Sequence, residues 1–332
     1  MSNSLNSTRN LFADNLQITL TDIISIFSTL TTFIGIYTII RSDSRETRSH
    51  KYIQMLYHLV LYLSQLFAGT VLNLVFLFPT PGAYCIGWLR NASGWWIIGS
   101  LTLFFFLFSF QGQLLALLLF IEIQIVARPD SAFKLPKILI IISVSSFILI
   151  NTVPLVLSFL SSDIPRSETT DYVIRTLPYH QFLLRYPFLW ILTSKKVYIC
   201  LLASVFCSVG LIILSIMIAY ILVLYELERQ VNTMSKKAAS AHKQLIDEVM
   251  LHGKIIFPFF LLIALPAYVQ FFVKEETDVS VPLAISFSIF TAAPIPAMIL
   301  FLYSNPTYRE FFKEIMLITR RRETVRVASG MF

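Results

Sequence analysis

Residues 91–120 read NASGWWIIGSLTLFFFLFSFQGQLLALLLF, without a single charge or proline. As a helix this stretch would be about 45 Å long, against about 30 Å for the hydrocarbon core of a bilayer. It therefore predicts a membrane-crossing helix with length to spare. Trp95 and Trp96 stand at one end, where amphipathic rings favour the headgroup boundary. Gln111 and Gln113 lie past the middle, and an amide in hydrocarbon costs several kcal/mol unless it finds partners. At least one of them is thus expected to face protein or a wet cavity. Glu122 and then Arg128-Pro129 mark the far exit.

The rest of the chain agrees with a membrane protein. Of 332 residues 56% are hydrophobic and only 14% charged, with 29 Phe, and the mean hydropathy is +0.72. A soluble domain could not hide such runs. The net charge of +7 would point to nucleic acid in a soluble protein, but membrane topology accounts for it here, so no nucleic acid partner is expected. Cys85, Cys200 and Cys207 are too few and too scattered for a disulfide framework or a metal site, and read as free buried thiols.

Working outward from 91–120, apolar segments at 16–40, 52–78, 138–160, 197–225, 254–273 and 281–303 complete seven spans. These divide the chain into a polar N-terminus (1–15), a seven-helix bundle (16–303) and a tail (304–332). Pro79-Thr80-Pro81-Gly82 ends the second span. Residues 161–196 form the longest less apolar stretch, to which no element is assigned. Ser235 reads as an N-cap opening the helix that carries Lys236 and Lys237 toward the sixth span. Pro258 and Pro266 predict a kink there, and the seventh span includes Pro294 and Pro296. Beyond it, Tyr308, Phe311, Phe312, Ile315 and Met316 share one face opposite Arg309, Glu310, Lys313 and Glu314, a pattern for an amphipathic helix on the membrane surface. Arg320 to Arg322 are expected to reach the headgroups.

Seven spans place the termini on opposite sides. With the N-terminus outside, 18 Lys and Arg are cytoplasmic and 8 are not, so the positive-inside rule favours that orientation. It also puts two N-glycosylation acceptors, Asn6 and Asn91, on the outer side.

Catalytic and cofactor patterns are absent: no HExxH, phosphate-binding glycine loop, GxSxG or CxxC occurs. No enzymatic activity and no cofactor are expected. The five histidines, His50, His58, His180, His242 and His252, are dispersed and read as solvated or interfacial. No span holds a charge clearly at mid-membrane, which weighs against an ion pump, channel or proton-coupled transporter. Uncharged amides inside, aromatics at the outer ends and basic amphipathic segments on the cytoplasmic side suit a receptor that binds a small, weakly polar ligand between helices.

Three motifs then carry a resemblance. The run Pro79-Thr80-Pro81-Gly82-Ala83-Tyr84-Cys85-Ile86-Gly87, the run from Met234-Ser235-Lys236-Lys237 to Gln244, and Pro306-Thr307-Tyr308-Arg309 resemble, in order and spacing, the nematode serpentine chemoreceptors of the Srh, Sri and Str group. The resemblance implies a seven-transmembrane, all-α G-protein-coupled receptor in the plasma membrane of sensory neurons, in or near their cilia. It would sense environmental chemicals and signal to a heterotrimeric G protein. Two departures stand out. Where related receptors carry an acidic residue closely followed by Arg below the third helix, this chain reads Glu122-Ile123-Gln124, with Arg128 further on. The outer loop also lacks a Cys to bridge to the top of the third helix.

On this reading the ligand is expected to meet Asn73, Trp96, Gln111, Tyr198, Tyr268 and Gln270. Glu122, Arg128, Lys236, Lys237 and Arg309 are expected to serve coupling. The alternatives are packing for the aromatics, interhelical hydrogen bonds for the amides and positive-inside charge for the basic residues. At the level of the whole protein, the rivals are a ligand-gated channel or transporter of similar span count and a receptor-like scaffold without coupling.

Overall fold

The computed structural model describes the backbone of residues 2–41, 48–77, 81–162, 164–230, 233–272 and 279–314. Side chains are described for the same residues apart from 2–10, 48–49, 178–180, 260 and 263–272. The basic loop 42–47, Pro79 and Thr80, the acidic turn 274–278, and Ile315, Met316 and Arg320 to Arg322 lie outside the described residues.

Helix α1 spans Ser2–Arg41, α2 Arg48–Leu66, α3 Trp95–Val126, α4 Lys137–Leu160, α5 Arg166–Thr176, α6 Lys195–Gln230, α7 Lys236–Phe272, α8 Ser280–Thr291 and α9 Pro294–Ser304. A further helix, α10, covers 306–314. Six helical stretches among the described residues are long and apolar enough to cross a membrane: 11–41, 50–72, 95–126, 137–160, 195–230 and 280–304. The second half of α7, which carries one charge over 254–272, is the seventh membrane segment of the bundle.

Helix α3 is the hub, in contact with α2, α4, α6 and α7. Of its most apolar window 61% is buried inside the protein, against 11% for α4. A helix apolar all round and enclosed by neighbours is what a central span requires. The other spans turn one face to lipid, which accounts for exposed side chains such as Phe33, Ile141 and Phe206.

The ends of the elements follow from local chemistry. Gly94 adopts φ 59°, which starts α3 at Trp95 rather than at the predicted Asn91. The Ser235 hydroxyl accepts the Ala238 backbone N–H at 3.2 Å, the N-cap expected there. Pro294 and Pro296 lack the N–H needed to continue the ladder, so the last span is two helices, α8 and α9, joined at Ala292-Ala293. By contrast, α7 runs through Pro258 and Pro266 as one helix. Asn305 turns the chain into α10, its side-chain oxygen accepting the Thr307 N–H at 3.1 Å.

The structure departs from expectation in two stretches. The second span is shorter than 52–78, because α2 runs into a π-turn at Phe67–Leu72 and then into a strand. Strands β1 (Leu74–Phe76), β2 (Gly82–Cys85) and β3 (Leu189–Ile191) make an antiparallel sheet in that order. Leu74 pairs with Cys85, and Ala83 with Trp190. The segment 161–196, unassigned from sequence, supplies α5, a 3-10 turn at Pro178–Arg185 and β3. The sheet covers one end of the bundle, the sheet end, and α10 lies at the other.

Residues 2–15, within the stretch 1–15 read as a polar N-terminus ahead of the first span, are part of α1, held through a carboxylate. Both oxygens of Asp14 accept the Tyr84 hydroxyl, at 2.8 and 3.1 Å, which fastens α1 to β2. Burial, reinforced by that carboxylate, raises the Tyr84 phenol above its ordinary pKa. All three cysteines are free; Cys85 is buried, but Cys200 and Cys207 are exposed on the lipid-facing side of α6 rather than buried as expected. Burial pushes the Cys85 thiol up to about 12, so it is an unreactive packing group.

Candidate functional site

The bundle interior is polar at mid-depth without being charged. Gln111 of α3, 1% exposed, donates from its amide nitrogen to the Ser64 hydroxyl of α2, and its amide oxygen has no hydrogen-bond partner. Gln113 donates to Ser109 at 3.0 Å and to Thr152 of α4 at 3.4 Å, again with its oxygen unpartnered. Gln65, equally enclosed, has neither amide atom bonded. Each such atom costs about 1–3 kcal/mol where water is excluded. A neutral guest bringing one donor or acceptor recovers part of that cost.

Toward the sheet end the interior becomes aromatic. Phe290 of α8 packs between Phe104 and Phe108 of α3, with ring centroids 6.4 and 6.2 Å away. Phe105 stacks on Phe159 of α4 at 4.4 Å, and Phe76 of β1 reaches Phe287 at 6.0 Å. Between α3 and α4, on their lipid-facing side, a cavity of about 360 Å³ opens, lined by Trp95, Ile98, Gly99, Thr102, Leu103, Phe106, Val156 and Leu160.

The expected ligand contacts fall at different places. Asn73 is buried and adopts φ 41°. It accepts from Gln17 at 2.7 Å and donates to Thr21 at 3.0 Å, so it joins α2 to α1. Gln111 is enclosed as described. Tyr198 packs half-buried against the aromatic cluster. Trp96 is 56% exposed, and its neighbour Trp95 lines the cavity instead. The side chains of Tyr268 and Gln270 lie outside the described residues, as does that of the glycosylation candidate Asn6; Asn91 is exposed at the end of a 3-10 turn.

At the α10 end the helices are joined by polar and titratable pairs. Glu122 of α3, 2% exposed, meets His242 of α7 at 2.6 Å. The Glu122 carboxylate, as hydrogen-bond acceptor and as charge, raises the His242 pKa against the opposing effect of burial. Arg128 donates to the Arg229 carbonyl, placing a cation at the C-terminus of α6, where the helix dipole favours it. The Gln230 amide donates to the Val126 carbonyl of α3. Glu226 accepts from Ser131 at 2.7 Å and pairs with Arg229 at 3.4 Å. Lys236 and Lys237 are exposed at the start of α7. Arg309 lies over the Tyr303 ring at 5.7 Å.

Three histidines read as solvated or interfacial are instead inside the bundle: His50, His58 and His252 are each at most 5% exposed. The reason is enclosure by neighbours that a single helix cannot foretell. His252 Nδ1 donates to the Glu248 carbonyl at 2.7 Å, which leaves its Nε2 to accept from the Nε2–H of His58 at 3.3 Å. This bond joins α2 to α7. Phe301 lies 4.8 Å from His58 and 5.4 Å from His252, and Tyr308 lies 5.1 Å from Phe301, so the contact extends to α9 and α10. His242 was missed as a partner of Glu122. The available signal was its position one turn before Ile246 and two before Val249, on what proves to be the buried face of α7. Among the described residues no group of three or more His, Cys, Asp or Glu could hold a metal ion.

No curated protein matches the chain significantly. Among solved structures it resembles the crystal structure of squid rhodopsin, with a TM-score of 0.55 at 13% identity, over 93% of this chain and 87% of that one. At that identity the likeness concerns the fold. The family model for the serpentine type 7TM GPCR chemoreceptor Sri matches residues 15–312. With nearly the whole seven-helix bundle inside that match, the chain belongs to the Sri family of serpentine GPCR chemoreceptors.

Proposed function

We propose that this receptor binds a small, neutral environmental molecule among its helices and signals to a cytosolic heterotrimeric G protein. The sheet end would face the outside and the α10 end the cytosol, in the plasma membrane of a chemosensory neuron and its cilia. The observation that carries the reading is the family match over residues 15–312. The uncharged polar interior around Gln111 supports it from one side and the polar pairs around Glu122 from the other. Ligand contacts would come from Asn73, Trp96, Gln111, Tyr198, Tyr268 and Gln270. Glu122, Arg128, Lys236, Lys237 and Arg309 would serve coupling, with exposed Lys236 and Lys237 meeting the partner directly.

Expression with a promiscuous G protein and a calcium reporter, against panels of volatile and water-soluble compounds, tests this. A response that requires the G protein supports it; current without G protein would make the protein a channel. Replacing Lys237 and Arg309 by Ala is expected to weaken signalling at unchanged surface delivery, and loss of delivery alone would remove them from the coupling role.

A further inference from the structure

The carboxylate of Glu122 uses only one of its two oxygens. Oε1 meets Nδ1 of His242 at 2.6 Å, while Oε2 is buried and has no hydrogen-bond partner. The cations nearest in sequence do not serve it, since Arg128 bonds the Arg229 carbonyl and Lys134 the Gln124 carbonyl. A second imidazole stands close by. The charge of Glu122 acts on His50, which lies in the first turn of α2 and is 1% exposed. One carboxylate near the end of α3 is thus shared, electrostatically, between histidines of two helices, α2 and α7, both packed against α3.

The two contacts differ in how firmly they are held. Tyr57 and Leu61 of α2 sit in one core with Leu115 and Leu118 of α3, so His50 keeps its place beside Glu122 when α7 is displaced. His242 is on the stretch of α7 that precedes its membrane segment and is 20% exposed; it is the partner that leaves when the α10 end opens. Stripping the partner from a buried carboxylate costs more than the coupling by which two receptor states usually differ. Without a replacement, that cost would hold the bundle shut. His50 supplies the replacement, because a rotation of the Glu122 side chain between staggered wells carries the carboxylate from α7 to α2 and leaves the α3 backbone where it is.

We infer that Glu122 is a two-position switch, bonded to His242 of α7 in the closed bundle and taken over by His50 of α2 when the α10 end opens. His50 is thus a positioning residue for the open state. The switch deepens the coupling role proposed for Glu122 and rests on the receptor reading for its consequence, not for the exchange of partners itself.

The experiment uses the full-length receptor in lipid nanodiscs. Histidine-selective NMR follows the five imidazole rings, assigned by single substitution, and basal GTP exchange is read on a purified promiscuous G protein. His242→Ala is expected to move the His50 ring signal, as His50 gains the carboxylate, and adding Glu122→Leu is expected to abolish the movement. A His50 signal that stays still in His242→Ala, or that moves as far with Glu122→Leu present, overturns the switch. His50→Leu removes only the open-state partner, so it should slow exchange by the parent about three- to tenfold. It should change His242→Ala by less than about twofold, because there His50 holds Glu122 in both states. His50→Gln, which keeps an N–H, should retain at least about half the parent rate. Equal slowing by Leu and Gln, or equal slowing by Leu with and without His242, would make His50 a packing residue and also overturn the proposal. The ring measurement leaves His50 intact, so it decides the matter even where His50→Leu lowers the unfolding temperature. If the ring signal moves as expected while no form of the protein drives exchange, the receptor reading fails and the switch stands.

Discussion

The two ends of the bundle are held together in different ways. At the sheet end the contacts are aromatic or tie the sheet region to α1: Phe104, Phe108 and Phe290 interlock, Asn73 bonds Gln17 of α1, and Tyr84 fastens β2 to Asp14. At the α10 end α7 is joined to its neighbours by pairs that a single proton or rotamer can alter, Glu122 with His242 and His58 with His252. Packed rings resist sliding because every displacement opens voids. A polar pair breaks at the cost of one interaction, and where water reaches the parted groups it replaces the partner. The arrangement suits an end that holds its shape and an end whose helices separate, which is how a ligand at one end would be read at the other.

The contrast can be broken most directly at Phe290, fully buried between α3 and α8. Phe290→Ala is expected to cost about 3–5 kcal/mol, seen as a large drop in the thermal unfolding temperature of detergent-solubilised receptor. A drop no larger than that of a lipid-facing control such as Phe206→Ala would show that the aromatic cluster does not hold the sheet end.

Asn73 sharpens the same side. Asn73→Ala loses the bonds to Gln17 and Thr21 and puts a poorly suited residue at φ 41°, an expected loss of about 2–3 kcal/mol. Asn73→Gly relieves the backbone and should recover about 1 kcal/mol of it. If the alanine and glycine variants unfold together, the left-handed backbone carries no cost.

At the α10 end the expected signature is activity rather than stability. Glu122→Gln or His242→Ala should raise ligand-independent signalling about fivefold, the effect of about 1 kcal/mol on a two-state equilibrium. The exchange Glu122→His with His242→Glu should bring it back toward the parent level. Basal signalling that ignores all three variants would mean the pair does not restrain α7.

The smallest effect is in pH. The His242 pKa is raised, so the charged pair is complete below the ordinary histidine value of about 6.5 and is lost as pH rises through the raised value. Basal GTP exchange on a purified G protein should therefore climb modestly between about pH 6.5 and 8.5, since a neutral imidazole still donates one hydrogen bond to Glu122. The climb should vanish in Glu122→Gln; an identical profile in that variant would assign it to other groups.

Much of the architecture was legible in the sequence for one reason: hydrocarbon demands long apolar helices, and little else in a chain looks like them. The spans, the Ser235 cap and the helix after Asn305 are each local consequences of residue type. The motifs running from Pro79, from Met234 and from Pro306 also carried the family. The strands at 74–76 and 189–191 were not legible, because a three-residue strand has no periodicity of its own and exists only through its partner across the sheet. Nor could Asn73 be told from a ligand contact before Gln17 and Thr21 were seen to occupy its amide.

The amino-acid order by itself thus determined that the chain crosses a bilayer repeatedly and which segments do so, because that is a contest between a segment and its solvent. Which side chains meet was decided only by the tertiary structure. Glu122 and His242 are 120 residues apart and His58 and His252 are 194 apart, and no local pattern specifies a pairing over such separations.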